Sequence, residues 1–346
     1  MANSSVLTLL LTVVVLISPT LKASSADIEN SGKKLCAFDL SGPIMTGDFN
    51  KLSAIVSTAK ITPNDERTSA ICLKSNGGSY AEGLKIAELI YLRGLSTVIE
   101  YGSECYSSCA IIFMAGVTTE RELPMRKLSV GGVLGFHAPF LTVPDEKYSK
   151  EDIEGVVRDM RMAILALVRL SSKHTQLHGS DFIKKSLISK ILEKGPKEAF
   201  FVRTIYDAAR WDILIHDASE RMSKSNNIDG LKNACRNFHS SNMDEEAPFQ
   251  SELSLKVEKY SSKFQKDDAR ILVQNSKTMD TICEIYPRTF GQNDSVKFFA
   301  CSQDYWSSRS FGNCREYRTA PAVLVGKFVP DFFTYAPSEA LLRFKK

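Results

Sequence analysis

The sequence predicts an α/β fold with a mainly parallel sheet, and three observations carry that prediction. From residue 35 to residue 215, apolar runs of strand length alternate with amphipathic stretches of helix length. Glycine punctuates the alternation at Gly42, Gly77, Gly78, Gly94 and Gly116, where strands turn and helices stop. The resulting β-α-β-α-β-α-β order is the pattern of parallel strands joined by right-handed crossovers.

Taken in order, residues 35–40 read as a strand closed by the Gly42-Pro43 turn. Residues 49–59 have helical spacing, with Leu52, Ile55 and Val56 on one face. Residues 69–73 form a buried strand, and after Gly77-Gly78 an amphipathic helix runs over 81–92 to Gly94. Residues 97–101 are the next strand and 110–115 a short buried helix; 131–136 supply another strand, with His137 just past its end. A long helix covers 152–171, where Val156, Met160, Ile164 and Val168 recur at helical spacing. Residues 181–192 make a further helix halted by Gly195-Pro196, and 198–215 hold a short helical or turn element and a last strand. The polar stretch 219–229 reads as a linker. Beyond it the chain is cysteine-bearing and aromatic, without repeats or low-complexity tracts.

The amino terminus carries an uncharged apolar run, Val6 to Ile17, of about twelve residues, followed by Ala23-Ser24-Ser25-Ala26. That run is short for a bilayer span and typical of an export signal, with cleavage expected just before Asp27. No Lys or Arg precedes the run, so an uncleaved anchor is the alternative, and only then would the chain be tied to a membrane. Removing residues 1–26 takes away Lys22 alone and leaves 43 Lys+Arg against 40 Asp+Glu, a charge of +3. So mild a charge gives no argument for a nucleic-acid partner. The remaining 346 − 26 = 320 residues suggest two domains, 30–220 and 230–346.

Eight cysteines in an exported chain point to disulfides in a periplasmic or secreted protein rather than to metal thiolates. Cys36, Cys72, Cys105 and Cys109 lie early, and Cys235, Cys283, Cys301 and Cys314 late, so bonds within each group are expected. Cys235 and His239 are four residues apart, but without a second pair they make a poor zinc site, and no metal or cofactor is expected.

The chemistry-bearing segment is residues 75–116. Ser75-Asn76-Gly77-Gly78 follows a strand, and Cys105-Tyr106-Ser107-Ser108-Cys109 opens the short apolar helix that ends near Gly116. Alone, the glycines are a tight turn, Ser107 a helix cap and His137 a surface histidine. Together they place backbone N–H donors, a serine hydroxyl and an imidazole at the carboxyl ends of neighbouring strands, as acyl transfer requires.

These residues resemble the ClpP/crotonase superfamily, most of all a periplasmic group with the fold of the Clp protease proteolytic subunit. Its Ser-Pro-Gly-Gly motif, followed after four residues by another glycine, is similar to Ser75-Asn76-Gly77-Gly78 and Gly83, with asparagine in place of proline. Its nucleophilic serine stands nine residues before a glycine, and 116 − 9 = 107 gives Ser107. Cys105 and Cys109 resemble the group's Cys-x-Ser-x-Cys pattern, and Asp39-Leu-Ser-Gly-Pro-Ile44 its first strand. The resemblance covers residues 35–215. It implies a spiral of ββα units, Ser107 as nucleophile, His137 as base, and the N–H groups of Gly78 and Ser108 as the oxyanion hole. Where the family carries its acid, this chain has Phe200; Glu198 is the nearest carboxylate, with Asp181 and Asp207 as weaker choices. Ser108 is the alternative nucleophile if the helix starts one residue later. Cys105 and Cys109 are open to a redox or a structural role, and Cys36 and Cys72 to pairing or to buried thiols.

The expectation is therefore an exported, peptidase-like serine hydrolase acting on a peptide or other acyl substrate, assembled as a homo-oligomer by resemblance. Coenzyme A chemistry, also found in the superfamily, is disfavoured outside the cytoplasm. The other expectation is a catalytically inactive binding or scaffold protein of the cell envelope, prompted by the absent acid.

Overall fold

The computed structural model describes residues 25–346 apart from 34, 63–64, 122, 140–147, 174–180, 196–197, 218–228, 231, 238–243, 245–254, 262–268, 276–280, 290–295, 303–326, 330–340 and 342–346. The fold is α/β, with mixed and mostly parallel sheets. Its main sheet has six strands: β1 (Asp27–Asn30), β2 (Phe38–Ser41), β3 (Ala70–Lys74), β4 (Ser96–Ile99), β6 (Arg126–Leu128) and β9 (Leu214–Ile215), in that spatial order. Only β1 runs antiparallel, pairing with β2; every other neighbouring pair is parallel. Leu40, Ile71, Leu73, Ile99 and Leu128 point from these strands into one core. Strands flanked on both faces need such apolar runs, and these are the runs legible in the sequence.

The crossovers are helices whose apolar stripes pack on that sheet. α1 (Asp48–Thr58) buries Leu52 and Val56. A single-turn α2 (Glu66–Ser69) precedes β3. α3 (Tyr80–Arg93) buries Ile86, Ala87 and Ile90; the Ser79 side chain accepts the Glu82 N–H at its start, and Gly94 ends it in the left-handed region. Two buried carboxylates lock the turn between β2 and α1. Asp48 accepts the Met45 N–H at 2.7 Å, and Glu82 accepts the Gly47 and Phe49 N–H groups at 2.9 Å each. Burial alone would raise the Glu82 carboxyl, but the Phe49 and Gly47 donors, with Lys85 beside them, hold it below the ordinary carboxylate range.

A second sheet of three short strands, β5 (Glu104–Tyr106), β7 (Val133–Phe136) and β8 (Phe200–Phe201), stands beside the first. β5 and β7 are parallel and β7 and β8 antiparallel. Between β5 and β6 lies α4 (Ser108–Met114), buried at every position. α5 (Lys150–Ser171) opens with a capping box on Ser149 and Asp152 and keeps Ile153, Val157, Leu165 and Val168 largely exposed. α6 (Lys185–Leu192) starts four residues later than the sequence predicts. Phe182 and Ile183 are buried instead as an irregular segment, whose Phe182 carbonyl accepts from the Arg126 guanidinium. Full burial pushes that guanidinium down to about 10, against the opposing pull of Asp212. α7 (Ile205–Arg210) is capped by Thr204 and Asp207.

The strands β10 (Leu255–Ser261), β11 (Ala269–Asn275), β12 (Thr281–Thr289), β13 (Val296–Ser302) and β14 (Lys327–Val329) form an antiparallel sheet in sequence order. The stretch 219–229 read as a linker falls almost wholly outside the described residues. Disulfides join Cys36 to Cys72 and Cys105 to Cys109, both within the early group of cysteines. Cys235 is buried and also disulfide-bonded, and His239 lies outside the described residues. Among the described residues no helix is long and apolar enough to cross a membrane. The bonded cysteines are compatible with an oxidising, extracellular-type compartment.

Candidate active site

The site begins with β3. Past its end, Ser75 is bracketed by β5: its N–H donates to the Glu104 carbonyl at 2.8 Å, and its own carbonyl accepts from the Tyr106 N–H at 3.0 Å. On the opposite side, Ile44 donates its N–H to the Gly77 carbonyl at 2.9 Å and accepts from the Ser79 N–H at 2.8 Å. The turn thus lies between the end of β2 and the start of the small sheet. All peptide bonds here are trans, so a carbonyl and the following N–H point in opposite directions. With the Gly77 carbonyl committed to Ile44, the Gly78 N–H points away from Ile44.

Ser107 faces this turn. A Cβ placed on Gly77 would lie 2.7 Å from Ser107 Cβ and 3.2 Å from Ser107 Oγ, so only glycine lets the chains approach this closely. Gly77 also has φ +89 and Gly78 φ +147, conformations that side chains rarely adopt. The same economy recurs behind the site: a Cβ on Gly83 would stand 2.7 Å from Ser108 Cβ. The Ser-Asn-Gly-Gly and Gly83 spacing therefore has a local physical cause, which is to let α3 and the turn approach the start of α4.

Ser107 sits at the junction of β5 and α4 with φ 57 and ψ −124, far from both strand and helix values. A non-glycine residue held there costs about 1–3 kcal/mol, and such strain accumulates at functional sites. Its N–H donates to the Gly135 carbonyl of β7 at 3.1 Å, and its carbonyl accepts from the Ala110 N–H at 3.0 Å. The Cys105–Cys109 bridge spans it, tying the last turn of strand to the first turn of helix. Ser107 is partly exposed, whereas the Ser108 side chain is fully buried against Gly83. That contrast separates the two serines in favour of Ser107 as the accessible hydroxyl. The Ser108 N–H, first in α4, has no intrahelical acceptor by helix geometry.

His137 follows β7, whose register pairs Tyr106 with Gly135. Ser107 and His137 thus leave the same ends of two paired parallel strands. The His137 Nδ1–H donates to the Ala138 carbonyl at 2.8 Å. A carbonyl can only accept, so the proton belongs on Nδ1 and the basic nitrogen of the neutral ring is Nε2. Among the described residues no hydrogen bond joins Ser107 to His137; such bonds are often long in unliganded enzymes and tighten around substrate.

The carboxylates considered for the third role are engaged elsewhere. Glu198 lies two residues before β8 but is exposed, with Lys194 as its ion-pair partner at 4.0 Å. Asp181 pairs with Lys185 at 3.6 Å. Asp207 accepts the Arg203 and Thr204 N–H groups at 2.8 and 3.1 Å as the cap of α7, and burial raises its carboxyl despite those donors. Phe200, at the position the resemblance assigns to the acid, packs edge-on against Trp211 with ring centroids 5.1 Å apart. The Ala138 carbonyl was not foreseen, because nothing in a sequence marks a backbone oxygen as a side chain's partner. Compared with known proteins, the chain matches no family model and no curated protein.

Proposed function

We propose that this chain is an exported serine hydrolase of ClpP/crotonase-like spiral architecture, periplasmic or secreted, acting on a peptide or related acyl bond. The observation that carries the reading is the backbone of Ser107: a part-exposed serine at φ 57, ψ −124, between a strand and a helix, pressed against a Gly-Gly turn. In this reading Ser107 Oγ attacks the acyl carbon and His137 Nε2 takes its proton. The oxyanion forms between the N–H groups of Gly78 and Ser108. The Ala138 carbonyl then does for His137 Nδ1–H what a carboxylate does elsewhere: it fixes the tautomer, though with less stabilisation of the imidazolium. The reaction needs no metal or cofactor. The exposed apolar edge of α5 gives a homo-oligomer a surface to use.

The test is labelling of the oxidised, purified protein with a fluorophosphonate probe. Labelling should vanish in Ser107→Ala and fall by about 10²-fold or more in His137→Ala. A second reading, a catalytically silent binding protein of the cell envelope, is favoured by the engagement of the three candidate acids elsewhere: Glu198 with Lys194, Asp181 with Lys185, and Asp207 as the cap of α7. Absence of labelling in correctly folded wild type would select it.

A further inference from the structure

Ala26 is only 2% exposed, and its backbone N–H donates to Asp48 Oδ2 at 3.1 Å. Asp48 is fully buried at the start of α1, and the same oxygen accepts the Met45 N–H. Its second oxygen, Oδ1, is buried and accepts no hydrogen bond among the described residues; Lys51 Nζ, 3.2 Å away, is its ion-pair partner. Lys51 also touches Ser25 Oγ and the Ala26 carbonyl, the latter at 3.3 Å. A buried carboxylate is costly unless paired with charge, and a neutral amide is a weaker partner than an ammonium. The Ala26 backbone nitrogen, close to the amino-terminal edge of the described residues, is therefore aimed at a buried carboxyl group.

We propose that the exported chain is cut between Ser25 and Ala26, and that the α-ammonium so created forms a buried ion pair with Asp48. The cut is hydrolysis by a processing peptidase: water gives its hydroxyl to the Ser25 carbonyl and a proton to the Ala26 nitrogen, which is protonated again at neutral pH. Ala23 and Ser25 supply the small residues that such an enzyme requires three residues and one residue before the bond. Cleavage one residue later, which Ser24-x-Ala26 also permits, would discard the nitrogen that Asp48 holds and the buried Ala26 methyl. Because Ala26 is enclosed once the domain is folded, the cut precedes folding, as removal of an export signal does. The ammonium then takes Oδ2 while Lys51 keeps Oδ1. The inference is independent of the hydrolase reading.

The experiment is intact-mass analysis and amino-terminal sequencing of the full chain after export. Ala26 is the expected first residue; Asp27, or a retained leader, as the main species would overturn the proposal. The ion pair is tested separately by acetylation of the α-amine with an N-hydroxysuccinimide ester. Protection of at least tenfold in the folded protein, relative to the same protein in denaturant, is expected, and equal rates would overturn it. Asp48→Asn should remove the protection; a folded variant that keeps it would also overturn the pairing. Should that variant fail to fold, the wild-type ratio decides.

Discussion

The two mixed sheets of this protein, of six and three strands, are built to different ends. The six-stranded sheet carries the apolar strands that anchor the core, is flanked by stripe-burying helices, and has Cys36, two residues before β2, bonded to Cys72 of β3. The three-stranded sheet has strands of three, four and two residues, yet it holds both Ser107 and His137 at its carboxyl edge. Its disulfide closes a loop of sequence separation 4, against 36 for the other. Loop-closure entropy rises with loop length, so the long bridge stabilises the fold while the short one mainly fixes local geometry. The long bridge belongs to the larger sheet, and the strained Ser107 leaves the smaller one.

The largest expected effect breaks the first half of that contrast. The double variant Cys36→Ala/Cys72→Ala should lose about 3 kcal/mol of stability in denaturant melts. Below the midpoint its fluorophosphonate labelling rate should stay within about twofold of wild type, since no bond from that disulfide reaches the small sheet. A large loss of labelling with little loss of stability would reverse the assignment of roles. Gly83→Ala acts the other way. Its Cβ would meet Ser108 Cβ at 2.7 Å and Ser108 O at 3.3 Å, forcing α4 off α3. We expect about 1–3 kcal/mol of destabilisation, with a labelling rate reduced at least tenfold at temperatures where the variant is still folded.

The strain at Ser107 gives a smaller effect of opposite sign. Glycine adopts φ 57 without the Cβ penalty, so Ser107→Gly should be about 1 kcal/mol more stable than Ser107→Ala, although both lack the hydroxyl. Equal melting midpoints for the two variants would remove the argument that the site stores strain.

The same contrast explains what the sequence could disclose. The central strands β2, β3 and β4 of the main sheet were legible because buried parallel strands need continuous apolar runs and amphipathic crossovers, as at residues 69–73 and 81–92. Strands β1, β5 and β6 were not, being short and polar-flanked: Glu104–Tyr106 and Arg126–Leu128 owe their conformation to their neighbours rather than to pattern. The strands past residue 254 were missed, and no helix-strand alternation marks them. In the site, the Gly-Gly turn and Ser107 were expected at neighbouring strand ends, and the missing room for a Cβ on Gly77 is what the structure adds. The resemblance already put Ser107 ahead of Ser108, and burial gives that choice a physical ground; the Ala138 carbonyl on His137 is a backbone partner that no residue pattern marks.

The smallest effect concerns pH, and it belongs to the scaffold. Glu82 of α3 accepts the Gly47 and Phe49 N–H groups, and those donors with Lys85 hold its folded carboxyl below the ordinary value of 4.5. A carboxyl depressed on folding stabilises fully above its unfolded-state value, and that stabilisation is lost as pH falls through the folded value. Wild type should therefore melt above Glu82→Gln at pH 7, with the gap closing as pH drops below about 4.5. Thermal melts of the two proteins from pH 7 to pH 3 decide it: a constant gap would mean that the carboxylate charge does not hold the turn. Because that turn also orients the Gly77–Gly78 peptide through Ile44, the ratio of wild-type to Glu82→Gln labelling rates should fall over the same acid range, whereas a ratio that stays constant would mean that the site is independent of the turn.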